Sequence, residues 1–186
     1  MSRRAIALAL VAASLSFGSS AGAQYHQRYA SRSSEQSVSY SVGIVALDDA
    51  RYATDSVGRA WSVRMTSPIL GRFVMGELGL GGISEKDLDG VRQRFLIPEA
   101  QLQLQLPVGP FRPYLGFGAG GVLGPTQATT ILAGGARSVS TAIGLRTLLS
   151  GDRLTLNLES RVRQYMRDGY PNASSIDVTA GFGVRF

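Results

Sequence analysis

The chain has 186 residues, with 23 glycines, no cysteine and a formal net charge of +6, a length that suits about one domain. The lack of cysteine excludes a disulfide framework and thiolate chemistry. The basic residues are scattered rather than clustered, and all but Lys86 are arginine; this argues against a nucleic-acid partner and leaves anionic lipid headgroups as the expected counterpart.

The amino terminus reads as an export signal. Arg3 and Arg4 precede an apolar stretch from Ala5 to Phe17, and Ala21-Gly22-Ala23 supplies a small-residue cleavage site, so residues 1–23 are expected to be removed. The apolar run is shorter than the roughly 20 residues that a membrane-spanning helix needs. The mature chain from Gln24 then carries 17 basic and 13 acidic residues, a net charge of +4. Residues 24–36 are polar and aperiodic and are expected to form a flexible periplasmic lead-in.

From Ser37 onward, period-two alternation predicts eight strands, at 37–47, 59–66, 71–81, 95–106, 111–122, 137–149, 153–164 and 175–186. Ser84 to Val91 is compatible with one turn of helix inside a loop. The connections alternate in length. Ser67-Pro68-Ile69-Leu70, Pro107-Val108-Gly109-Pro110 and Ser150-Gly151 are short; 48–58, 82–94, 123–136 and 165–174 are longer. Turns centred on Pro68-Ile69, Gly109-Pro110 and Ser150-Gly151 pair Arg64 with Phe73 and Ala60 with Glu77, Gln105 with Tyr114 and Gln103 with Gly116, and Arg146 with Thr155, Gly144 with Asn157 and Ala142 with Glu159. In each hairpin, small or polar residues then meet on one face and mostly apolar residues on the other.

Side-chain size assigns the faces. One face carries Gly43, Gly79, Gly116, Gly118, Gly120, Gly144, Gly181 and Gly183, which suits the crowded interior of a narrow barrel. The other carries Val38, Tyr40, Val42, Ile44, Trp61, Val63, Leu102, Leu104, Leu115, Phe117, Leu154, Leu156 and Leu158, which suits a lipid-facing band. The Gly-rich face also holds Arg64, Glu77, Glu99, Arg146, Glu159, Arg161, Arg163, Asp177 and Arg185. Near balance of sign is what a closed polar core requires, because an unpaired buried charge is costly. These nine are expected to form a lumen charge network bridged by Gln101, Gln103, Gln105 and Asn157. The competing reading is the solvated face of a soluble sheet.

Trp61, Tyr40, Phe182 and Phe186 fall near strand ends on the apolar face, where aromatic girdles sit. Arg72, Arg112 and Arg153 each follow a short turn and are expected to point outward to lipid phosphates at the periplasmic surface. The chain ends in Ile176, Val178, Ala180, Phe182, Val184 and Phe186 at alternate positions. That pattern resembles the last strand of bacterial outer-membrane barrels, and marks Val184 and Phe186 as a signal to the barrel-assembly machinery.

With these residues in place, the chain resembles the small eight-stranded outer-membrane β-barrels, the OmpA transmembrane-domain and OmpX-like group. Arg112-Pro113-Tyr114-Leu115-Gly116-Phe117-Gly118-Ala119-Gly120 is similar to the Pro-Tyr-x-Gly-x-Gly strand of the outer-membrane β-barrel-domain family, and Gly76-Glu77-Leu78-Gly79 to its Glu-bearing strand. The resemblance spans Ser37 to Phe186. It implies an all-β, eight-stranded antiparallel up-and-down transmembrane barrel. It leaves the use of the barrel open, because such folds host structural proteins, adhesins, narrow pores and lipid-modifying enzymes.

No catalytic set and no cofactor is expected. The single histidine, His26, precedes the first strand, so a neutral-pH base on the barrel is missing. No metal set has ligand spacing; Asp48, Asp49 and Asp55 lack the pattern of a calcium loop. Gly116-x-Gly118-x-Gly120 is not followed by a helix, which argues against a dinucleotide loop. The expected role is a non-enzymatic outer-membrane barrel whose partners are membrane lipids, the assembly machinery and an extracellular ligand of the loops. A narrow porin-like channel, a lipid-modifying enzyme and a soluble lipocalin-like carrier remain alternatives.

Overall fold

A computed structural model describes residues 35–48, 56–86, 91–124, 135–149, 153–167 and 173–186. The expected signal segment, most of the lead-in, His26, Asp49 and Asp55 lie outside the described residues. Eight strands run β1 Ser37–Asp48, β2 Ser56–Leu70, β3 Val74–Lys86, β4 Arg92–Gln105, β5 Phe111–Val122, β6 Ala136–Leu148, β7 Leu154–Met166 and β8 Ala173–Arg185. Each pairs antiparallel with its sequence neighbours, and β1 pairs with β8, closing the sheet into an up-and-down barrel. Closure leaves no free strand edge, the requirement that hydrocarbon places on a spanning sheet.

Alternation dictates the wall. In β4 and β8 every second side chain is buried along nearly the whole strand. Large apolar side chains cover the outside, from Tyr40 and Ile44 through Leu102 and Phe117 to Phe182 and Val184. Thus the bulky face is outward and the Gly- and charge-bearing face is inward.

Several local expectations are corrected. β2 continues through Pro68 and Ile69 with a register irregularity between Pro68 and Leu70. The chain reverses at Gly71-Arg72-Phe73 instead, where Gly71 supplies a positive φ of 55°. Arg64 therefore faces Gly79 rather than Phe73, and Ala60 faces Ile83 rather than Glu77. The β6–β7 hairpin closes through a Leu149 N–H to Leu154 carbonyl bond of 2.8 Å. Its loop is longer than the expected two residues, so Arg146 faces Asn157, Gly144 faces Glu159 and Ala142 faces Arg161. At the β4–β5 turn the structure matches the expectation: Gln105 faces Tyr114 and Gln103 faces Gly116. Ser84 to Lys86 belong to β3 and Arg92 begins β4, so no helical turn forms among the described residues there. Strand growth also shortens the long connections, and 87–91 is no longer than the turn 106–110.

Candidate functional site

The lumen holds the chain's principal polar site. Arg64 (β2), Glu77 (β3), Glu99 (β4), Arg146 (β6), Glu159, Arg161 and Arg163 (β7) and Asp177 (β8) are all buried. Arg64 Nη1 lies 2.7 Å from Glu159 Oε2 and its Nε 3.7 Å from Glu77 Oε1. Arg161 stands at the centre. Its Nε donates to Glu159 Oε1 at 2.9 Å, its Nη2 lies 3.4 Å from Glu77 Oε1, and its Nη1 pairs with Glu99 across the barrel. Arg163 joins Glu99, at 3.1 Å, to Asp177. Arg146 Nη2 lies 4.0 Å from Glu77 Oε2. Four guanidiniums and four carboxylates thus form one connected, formally neutral lattice.

Neutral donors complete it. Gln103 Nε2 donates to Glu77 Oε2 at 2.7 Å, Tyr114 O–H to Glu159 Oε2 at 2.7 Å and Ser140 O–H to Glu99 Oε1 at 2.5 Å. Arg146 donates to Asn157 Oδ1 at 3.2 Å and Gln105 Oε1 at 3.4 Å, and Arg161 Nη2 donates to Gln101 Oε1 at 2.5 Å. Every ion of the lattice thus has an opposite charge and at least one hydrogen bond, the condition under which buried ions are tolerated, while the outer atoms Gln101 Nε2, Gln103 Oε1 and Asn157 Nδ2 have no partner among the described residues. Arg185 differs from the other eight: it is half-buried at the end of β8, opposite Ser37.

The glycines make this packing possible. A Cβ on Gly144 would run into the Tyr114 ring, one on Gly116 into the Gln101 side chain, and one on Gly118 into Glu99 and Ser140. The long polar side chains of one strand lie in the space that their neighbours leave open.

One layer of the interior is not polar. Val45, Leu47, Ile83, Phe95, Val122 and Tyr165 pack together with Ala60, Ile97 and Ala173. Ile83 faces Phe95 and Tyr165 faces Ala173, at the strand ends that adjoin the long connections. Tyr165 O–H and Ser175 Oγ lie 2.9 Å apart, and Ser175 donates to Asp177 Oδ1 at 3.4 Å, tying this plug to the lattice. Two voids beside the lattice, one by Glu77 and Glu99 and one by Asp177 and Thr179, are each ≈ 10 Å³, room for about one water.

No family model matches the chain, and no curated protein sequence does. Solved structures do. Neisserial surface protein A matches with a TM-score of 0.68 at 12% identity, over 84% of this chain and 100% of that one. The outer membrane enzyme PagL matches with 0.58 at 12%, over 81% and 99%. Ail, the attachment invasion locus protein of Yersinia pestis, matches with 0.54 at 12%, over 83% and 100%. The chain has the fold of small eight-stranded transmembrane β-barrels. At these identities the likeness concerns the fold alone.

The residues expected at the lipid interface lie as follows. Tyr40 and Phe182 are direct cross-strand partners on the outer face near the turn end. Trp61 faces outward, its indole lying across Gly82. Val184 and Phe186 are exposed on the same outer face as Phe182.

The three turn-side arginines do not share one orientation, which corrects the expectation. Arg72 lies in the β2–β3 turn with its guanidinium 3.3 Å from Glu35. Arg112 is on the same side of the sheet as buried Tyr114, directly opposite Arg146, and its Nη1 donates to the Gly109 carbonyl at 2.6 Å. Arg153 is exposed in the turn before outward Leu154, at a position of lumen parity. Parity next to a turn depends on the turn's length, which alternation does not specify. The plug residues and the donors Tyr114, Ser140 and Thr66, whose Oγ1 donates to Glu77 Oε2 at 3.3 Å, also stand at inward positions by the same parity rule. Among the described residues no cluster of His, Cys, Asp or Glu could hold a metal.

Proposed function

We propose that the protein is an integral barrel of the bacterial outer membrane, with a closed lumen, whose role is structural or surface-interactive through its long connections. The observation that carries this reading is the inversion of polarity. The outer wall is bulky and apolar, while every member of a neutral charge lattice is inside. A soluble barrel has the opposite arrangement. The amino-terminal signal supports export, and the alternating carboxyl terminus supports delivery by the barrel-assembly machinery.

A non-enzymatic role is favoured over lipid modification because the sole histidine, His26, precedes the barrel and the buried carboxylates are engaged by arginines. A closed lumen is favoured over a narrow channel because the lattice and the plug occupy successive levels of the interior. Cell fractionation tests the location: the folded protein should sediment with outer membranes, require detergent for release and change gel mobility on boiling. Recovery in the soluble periplasm overturns the reading. A mass change in lipid A on expression would transfer the protein to the enzymes.

A further inference from the structure

Among the outward strand positions with described side chains, charge lies at one end of the wall only. Among outward strand positions with described side chains there is no Asp or Glu, and the cations are Arg59 in β2, Arg92 and Arg94 in β4 and Arg137 in β6. All four are exposed, and all lie at the strand ends that adjoin the long connections. None of the four side chains has a hydrogen bond or ion pair among the described residues.

Register groups three of them. Arg59 faces Ser84, and Ser84 faces Arg94. The three therefore form one row across β2, β3 and β4, with the two arginine backbones about 9–10 Å apart. Arg92 stands two residues beyond Arg94 on the same face, about 7 Å along the strand. The next row inward is Trp61, Gly82 and Leu96. Trp61 covers Gly82 with its indole, the placement of an interfacial aromatic.

Depth gives the row its meaning. Below Arg94 the outward residues of β4 run from Leu96 to Leu106; below Arg137 those of β6 and its turn run from Val139 to Leu149. Ten residues of a strand tilted by about 40° rise about 25 Å, the height of the apolar band of such barrels. In both strands the arginine lies immediately above a band of that height. In β2 the outward residues from Ile69 to Trp61 are apolar apart from Ser67, and Trp61 lies directly below Arg59.

We propose that Arg59, Arg92 and Arg94, with Ser84 between two of them, form a binding site for the phosphate groups of a phosphorylated glycolipid in the loop-side leaflet, and that Arg137 extends this belt around the wall. The site rests on the membrane reading above. Guanidiniums suit it because they donate in bidentate fashion to phosphate oxygens and are weakly hydrated. Their aliphatic stems lie along the apolar wall while the charged heads reach the headgroup level. The exposed Arg72 in the β2–β3 turn belongs to another class, because Glu35 engages it.

The test uses the refolded full-length barrel in phosphatidylcholine nanodiscs doped with diphosphoryl lipid A, monophosphoryl lipid A, a phosphate-free analogue or phosphatidylglycerol. Retained lipid is counted by native mass spectrometry. Emission of Trp61, the only tryptophan in the chain, reports on the row beside it. Diphosphoryl lipid A should be retained best and should shift Trp61 emission; the phosphate-free analogue should do neither. The triple variant R59Q/R92Q/R94Q should lose retention on the order of 100-fold, about five-fold per surface cation, whereas R72Q should match wild type. Equal retention by wild type of phosphorylated and phosphate-free lipid, equal retention by the triple variant, or phosphatidylglycerol held as tightly as lipid A each overturns the site. The wild-type comparison decides even if the triple variant does not fold, and the variant R59K/R92K/R94K, which keeps the charge, should retain most binding. Quenching of Trp61 by brominated phosphatidylcholine separates the two levels. No quenching overturns the membrane reading, whereas quenching without phosphate preference overturns only the site.

Discussion

Glu77 illustrates what a single residue carries in this interior. Its carboxylate lies within 4.0 Å of Arg64, Arg146 and Arg161 and accepts from Gln103. Glu77→Gln keeps the shape but leaves four buried guanidiniums facing three carboxylates. Breaking a buried pair on one side costs about 3–5 kcal/mol, and urea unfolding from lipid vesicles should register a loss of that order. Glycines permit a sharper comparison. Gly144→Ala sets a methyl against the Tyr114 ring and should cost about 1–3 kcal/mol through overpacking. On the outer wall, Gly121→Ala has only the Ala136 carbonyl, at 3.7 Å, near its new atom and should change stability little in the same assay. The inward or outward sense of these residues was legible from period-two alternation. Their partners were not, because alternation specifies a face and says nothing about which residue across the lumen a long side chain reaches; the Glu99–Arg161 pair joins β4 to β7, 62 residues apart.

Strand pairing shows a different limit. The expected β6–β7 register is two residues from the observed one and the β2–β3 register six, yet, Arg153 apart, the face assignments within those strands survive. An even shift moves a strand along its partner without turning it over, so hydrophobic pattern alone is blind to it. Only turn geometry decides, and at β2–β3 that meant recognising Gly71 rather than Pro68-Ile69 as the point of reversal. One element carries a built-in weakness. The β4–β5 ladder runs from Gln105 to Glu99, and pairing reappears only as the isolated Leu96–Leu123 bridge. Leu96 exchanges bonds of 2.8 Å with Leu123 in both directions, so residue 98, two positions on, would donate toward β5. Proline there has no N–H. Pro98→Ala should restore that bond and raise stability by about 1 kcal/mol, and amide exchange should slow along this seam. Unchanged exchange there would mean that the seam is limited by something other than the missing donor.

For the whole molecule, the eight-stranded architecture and the polarity of its two surfaces were legible in the sequence, because both follow from periodicity and side-chain size summed over many residues. The two-level interior was not. Val45, Leu47, Ile83 and Phe95 occupy inward positions, but an apolar residue at an inward position near a strand end reads as an interruption of pattern rather than a plug. Two closures in series lead to a conductance prediction. Wild-type barrel in planar bilayers should pass little steady current. The pair F95A/Y165A removes bulk from the plug but leaves the lattice, and should remain closed. Adding R161A to that pair removes the central cation and should produce measurable openings. Current from F95A/Y165A alone would show that the lattice does not seal.

Circular connectivity also constrains how such a molecule is born. Arg163 meets Asp177 only when the seventh and eighth strands lie side by side, and Glu99 meets Arg161 only when opposite walls curve toward each other. A half-zipped ribbon would present ions of both signs to hydrocarbon with nothing opposite them. Each intermediate before the final seam is therefore heavily penalised, and completion of the ring coincides with neutralisation. The geometry favours a concerted passage into the bilayer over strand-by-strand threading.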